Sequence, residues 1–426
     1  MTDRDRSATF VERVRSLCAA LGRLDRRRPW LFPAITFVAA IVLYARRRPD
    51  QLAHPMVWAE ETVILGRWFT SHSSALVDPV AGQSVLVSSW LVSLAGAISL
   101  RHLPTIEVGL MLLVFAATLL LLILPDSVWG PRWVRCLMAL ALALVPANPE
   151  PYMVLLFAFW WTSLWPLLVL GWRRDHYVIR IAVLIVAGLS SLAASFAAPL
   201  FFVLWLWRRQ RRDLISAIVL APCLVLQLEV VRTSPRVYPT FDLQSVVMQM
   251  GRDVAYLFRD VPLGVIPQND SIEAWGVEVL LITGLIIAII RLPQARSRAA
   301  GFILLLGVAG YAALSAIPAP LQTNPSGDGP RYYFLPYALI ALLLLFLIGA
   351  SRDRIVRIAC GIALLLALVP LRHDYARQAD PVDWGAAVAE CAASSAPTYR
   401  LPVQADGQVE SLWGLVVSTA ICRSAR

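Results

Sequence analysis

Apolar stretches close to the ~20 residues needed to cross a hydrocarbon core recur along the whole chain, and they constrain its fold more than any motif. In lipid, every backbone N–H and C=O must be satisfied inside the protein, so stretches of this kind are expected as α-helices. The predicted class is all-α: a polytopic transmembrane helix bundle of about 11 spans. Candidate spans cover 30–45, 106–124, 134–147, 153–171, 179–195, 196–207, 214–230, 276–290, 299–317, 333–350 and 355–371. Only 15% of the 426 residues are charged, against roughly 25% in soluble domains, which leaves too little polar surface for a soluble fold. The first span follows an arginine-rich stretch without a small-residue cleavage site, and so reads as a retained anchor rather than a signal peptide.

Charge sets the orientation. All 38 basic residues are Arg, and they gather at the ends of apolar runs. That is the pattern of topology signals rather than of a nucleic-acid surface. The run Ser84–Leu100 either spans or lies along the membrane, and the two choices invert everything after it. If it does not span, the segments 1–29, 125–133 with Arg135, 172–180, 208–213, 291–298 and 351–357 share one side. They carry 23 Arg and 8 acidic residues, net +15, leaving −5 for everything else. If it does span, short Arg-rich loops such as Arg173-Arg174 fall outside and break the positive-inside rule repeatedly. The first register is adopted. It predicts a cytoplasmic N-terminus, an extracytoplasmic C-terminus and a multi-pass protein of the cell membrane.

The expected organisation is a cytoplasmic segment 1–29, a membrane domain 30–371 with outer loops 46–105 and 231–275, and a small outer tail 372–426. Ser84–Leu100 becomes an amphipathic helix on the outer face, and 241–260 has the composition of a second. Cys136, Cys223 and Cys360 fall in spans and Cys18 in the cytoplasmic segment. Cys391 and Cys422 are the two placed outside, where they either pair or remain two small unpaired residues. The five dispersed His and the lack of CxxC or HExxH give no metal site, and no P-loop or GxGxxG motif is present.

Three stretches facing the outer side carry candidate chemistry. Trp58-Ala-Glu60-Glu61 follows the first span. Adjacent acids among Trp and aliphatics suit a general base, while the simpler alternative is a solvated helix start with acids on the dipole. Glu150 sits between Pro149 and Pro151, with Trp160, Trp161 and Trp165 beyond it. Asp328-Gly-Pro-Arg331-Tyr332-Tyr333 opens a late span. Arg331 there can grip a lipid phosphate bidentately or simply snorkel to the interface.

Trp58-Ala-Glu60-Glu61 followed by Pro79-Val-Ala-Gly82, the Pro146-Ala-Asn-Pro-Glu150 turn with Trp160 or Trp161, and Arg331-Tyr332 together resemble bacterial GT-C class glycosyltransferases and their polytopic relatives. The resemblance covers the plan from residue 30 to about 371. Glu60-Glu61-Thr62 stands where those relatives usually carry Glu-Asp-Gly. It implies an enzyme moving a sugar from a polyprenyl-phosphate donor to a cell-envelope glycan or lipid acceptor on the outer face. By that resemblance, Glu60 or Glu61 is the base. Glu150, Trp58, Trp160, Trp161 and Tyr332 bind substrate, and Arg331 contacts the phosphate. No cofactor is required, and a divalent metal between the carboxylates is compatible but not demanded. The rival expectations are a transporter or flippase of lipid-linked sugars, marked by charges within spans, and a lipid-linked oligosaccharide polymerase or ligase.

Overall fold

A computed structural model of the chain describes residues 30–80, 84–145, 151–233, 272–316, 334–367, 382–405 and 408–424. These are mostly helical, as expected, with one two-stranded antiparallel hairpin in the tail that the all-α expectation did not include. Segment 1–29, most of loop 231–275, the surface helix expected at 241–260, Cys18 and Gly82 lie outside the described residues.

The count of about 11 spans is not met. Among the described residues three helices are long and apolar enough to cross a membrane: Leu103–Ile123, Arg211–Thr233 and the helix starting at Ala295. The other candidates are shorter, and local chemistry explains several of them. The expected span 153–171 is broken into a 3-10 turn at Leu155–Phe157, a helix at Ala158–Ser163 and another at Trp165–Leu170. Pro166, which has no N–H to give, sits in the first turn of the last piece. Nearly every residue of this segment is buried, so it is a core element rather than a lipid-facing one. Helix Tyr177–Ser190 stops at Ser191, whose hydroxyl accepts the Ala193 N–H at 3.1 Å and starts a new turn, Leu192–Ser195. Arg132–Ala143 has 12 residues, about 18 Å of helix against a core of about 30 Å.

Ser84–Leu100 yields the helix Leu86–Ile98, 13 residues and too short to span alone. Ser88, Ser89 and Ser93 face inward, while Trp90, Leu94 and Ile98 are exposed at i, i+4 and i+8. A serine-in, apolar-out face suits an apolar surrounding better than water.

Loops that the charge count assigns to one side are joined to each other. The Val128 and Arg173 N–H groups donate to Gly171 and Asp126 carbonyls at 2.8 Å, and Arg212 donates to the carbonyls of Trp172 and Arg173. Arg291 pairs with Asp353 at 3.7 Å. Buried Arg135 donates to the Ile123 carbonyl at 2.9 Å and also to Leu122 and Pro125, capping the end of the Leu103–Ile123 helix. Gly171 lies against Trp129, and a methyl group there would collide with the indole ring. Gly171→Ala should therefore destabilise by roughly 1–3 kcal/mol through overpacking. Thermal unfolding in detergent reads this directly, and an unchanged midpoint would mean that the junction is loose.

Candidate functional site

Helix Leu31–Ala45, expected as the first span but only 15 residues long, delivers the chain into Arg46-Arg47-Arg48-Pro49-Asp50, and Pro49 starts a short helix, Pro49–Ala53. Arg48 and Asp50 form a buried bidentate pair: Nε donates to Oδ1 at 2.9 Å and Nη2 to Oδ2 at 2.8 Å, with both side chains at most 4% exposed. Arg47 is fully buried and its guanidinium lies over the Tyr152 ring, 4.2 Å from the centroid.

The chain then turns at Trp58-Ala59-Glu60-Glu61. The Glu61 N–H donates to the Trp58 carbonyl at 3.0 Å, and the Trp58 N–H returns a bond to Glu61 Oε2 at 2.8 Å. Glu60 is the N-cap of helix Glu61–Thr70 and is half-buried, whereas Glu61 is 1% exposed. The second oxygen of Glu61, Oε1, accepts the Leu156 N–H at 2.9 Å. The carboxyl of Glu61 is pushed up to about 7, chiefly by burial. The Glu60 charge adds to the rise, and the Trp58 and Leu156 N–H groups oppose it.

The donor at Leu156 is aimed by the backbone before it. Met153 lies in the left-handed region at φ 66°, and its N–H donates to the Tyr44 hydroxyl at 3.0 Å. For a non-glycine residue that conformation costs about 1 kcal/mol or more, so the Tyr44 bond has to hold it. Tyr44 belongs to an aromatic cluster centred on Trp161, whose ring meets Tyr44, Phe115, Tyr152 and Phe334 at 4.6–5.9 Å between centroids. The Trp161 N–H donates to the Pro151 carbonyl at 2.8 Å.

The tail closes the turn from the other side. Helix Trp384–Ala393 and helix Thr419–Ser424 are joined by the Cys391–Cys422 disulfide, and between them run β1 (Thr398–Ala405) and β2 (Gln408–Ser418). Gln404 of β1 pairs in parallel with Trp58. Its N–H donates to the Val57 carbonyl at 3.0 Å, and its carbonyl accepts the Ala59 N–H at 2.9 Å. The Gln404 side-chain oxygen accepts from Arg48 Nη2 at 3.1 Å and Gln51 Nε2 at 3.4 Å. The Trp384 indole donates to the Leu100 carbonyl at 2.8 Å. First loop and tail therefore share one end of the protein.

Of the residues singled out in the sequence, Trp58, Glu60 and Glu61 form one turn, and Trp161 lies in the core behind it. Trp160 is buried against Phe159, at 4.8 Å between centroids. Glu150, Arg331 and Tyr332 lie outside the described residues. Sequence reasoning missed the Arg48–Asp50–Gln404 network, although one signal was present. Three consecutive Arg follow the expected first span on the side that the charge count makes extracytoplasmic, where the positive-inside rule expects few, so local partners could have been looked for. It also passed over Glu107, which is 3% exposed and within electrostatic reach of Glu61. Both Glu107 oxygens lack a hydrogen-bond partner among the described residues. Glu107→Leu should raise stability by roughly 1–3 kcal/mol, since a buried polar group without a partner costs about that much. A lower unfolding midpoint would show that Glu107 has a partner in the working protein.

Among the described residues no group of three or more His, Cys, Asp or Glu is placed to hold a metal. No protein-family model matches the chain, and neither a curated protein nor a solved structure is found to match it.

Proposed function

We propose that the protein is an integral membrane glycosyltransferase that moves a sugar from a polyprenyl-phosphate donor to an acceptor at the extracytoplasmic face. The observation that carries this reading is the acidic turn, in which a half-buried Glu60 stands beside a buried Glu61 that is itself fastened by two backbone N–H groups. The arrangement suits a division of labour: Glu61 fixes the turn, and Glu60 takes the proton of an attacking acceptor hydroxyl. A lipid-linked donor fits a chain with no nucleotide-binding motif, and a site at the end of membrane helices. Arg331 is the proposed contact for the departing phosphate, with Glu150 and Tyr332 as further substrate-binding residues.

The side assignment belongs to the same reading. The disulfide of the tail favours an oxidising exterior for the end that holds the acidic turn. The arginine-bearing loops then face the cytoplasm, in keeping with the positive-inside rule.

One observation favours a second reading. A buried carboxyl group with no hydrogen-bond partner among the described residues, in a helix long enough to span, Glu107 is the kind of group used by ion-coupled transporters and flippases. Native mass spectrometry of the purified protein separates part of this question. A co-purifying polyprenyl phosphate or its glycoside is expected under the transferase reading. Its absence, together with no consumption of a polyprenyl-phosphate-linked sugar in vesicles, would sink it.

A further inference from the structure

We infer that Gln404, delivered by the disulfide-stapled tail, is a positioning residue for the acidic turn. A continuous series of bonds carries the inference. Cys391–Cys422 joins the two tail helices that flank the hairpin. The hairpin presents Gln404, which is 0% exposed, to the first loop. Its backbone bonds fix Val57 and Ala59 on either side of Trp58. The Trp58 N–H thereby fixed is the group that holds Glu61 Oε2.

The side chain adds a separate constraint. Arg48 and Asp50 neutralise each other, yet Arg48 is left with a donor that a buried site must satisfy, and Gln404 Oε1 accepts it. Without that oxygen, a buried guanidinium N–H beside the turn loses its acceptor, and strand and loop separate more readily. Gln404 Nε2, by contrast, has no partner among the described residues. Among the described residues the site uses only the acceptor half of the amide, so a carboxylate of the same length should serve in its place.

As an account of how Glu60 and Glu61 are held ready for chemistry, the inference rests on the transferase reading. The bond network itself can be tested without any activity. Hydrogen exchange of the full-length protein in nanodiscs is followed at the Trp58, Ala59 and Leu156 amides. Gln404→Met keeps the length and the backbone pairing but removes the acceptor, and exchange at these three amides should accelerate about tenfold or more. Gln404→Glu should restore slow exchange, a rescue that simple filling of space would not give. Cys391→Ser should accelerate the same amides while the Leu103–Ile123 and Arg211–Thr233 helices keep their protection, which shows that the fold survives.

Wild-type exchange in Gln404→Met, or equal acceleration in Gln404→Met and Gln404→Glu, would overturn the assignment. If exchange responds as expected but no variant and not even the wild type consumes a polyprenyl-phosphate-linked sugar, the clamp stands and the transferase reading alone fails.

Discussion

On the transferase reading proposed above, Glu60→Gln should give a folded protein whose sugar transfer falls by roughly 10²–10⁴, the usual loss when a positioned base is removed. Glu61→Gln should instead show itself first in stability. Its carboxylate satisfies two buried N–H groups from different parts of the chain, Trp58 and Leu156, and an amide has one acceptor oxygen for the two of them. One buried donor is then left over, at a cost of about 1–3 kcal/mol. The two variants also differ in pH dependence. The folded protein binds the Glu61 proton near pH 7, whereas the ordinary value is 4.5. The native state therefore holds more protons than the unfolded state across that window. The resulting stability is fully present below about pH 4.5 and is lost as pH rises through about 7, a swing of about 3 kcal/mol. Unfolding midpoints of the wild type should fall between about pH 5 and about pH 8, and Glu61→Gln should flatten that slope. A Glu61→Gln protein as stable as the wild type but inactive would reverse the two roles.

Trp161→Ala should cost roughly 3–5 kcal/mol, the range for deleting a fully buried large aromatic side chain. Four aromatic rings surround the indole, and its N–H holds the Pro151 carbonyl just before the strained Met153. The loss should reach Glu61, because the Leu156 donor hangs from that same segment. Trp161→Phe should be milder, since it keeps one ring and gives up the N–H bond and part of the indole volume. Denaturant unfolding followed by circular dichroism reads both variants, and a change below about 1 kcal/mol in Trp161→Ala would mean that the cluster repacks freely.

Periodicity and charge made the helices and their shared ends readable. Arg-rich turns such as Arg173-Arg174 and Arg208–Arg212 do meet at one end, and Ser84–Leu100 does give a helix too short to span. The span count failed for a local reason. An apolar run such as 153–171 looks the same whether it faces lipid or lies broken inside a bundle, and hydropathy cannot tell the two apart. Trp161 illustrates the point, because nothing in its neighbours distinguishes a membrane-belt tryptophan from the centre of an aromatic core. The turn that holds the acidic pair was legible because its residues are adjacent in the chain. Its supports were not, since Glu61 leans on Leu156 and Arg48 on Gln404, and pairings across such distances leave no periodic trace.

The distance between Arg48 and Gln404 matters for how the protein is made. They are 356 residues apart, and at roughly 5–20 residues per second the ribosome needs about 20–70 s to supply the second after the first. Throughout that interval the nascent first loop holds an arginine whose final acceptor has not yet been synthesised. A chain stalled or cleaved before the hairpin would keep its membrane helices and lack a finished acidic turn. On the transferase reading, a pause in translation or a cut in the tail would then lower the share of molecules with a finished acidic turn, without touching a single residue of the long apolar helices.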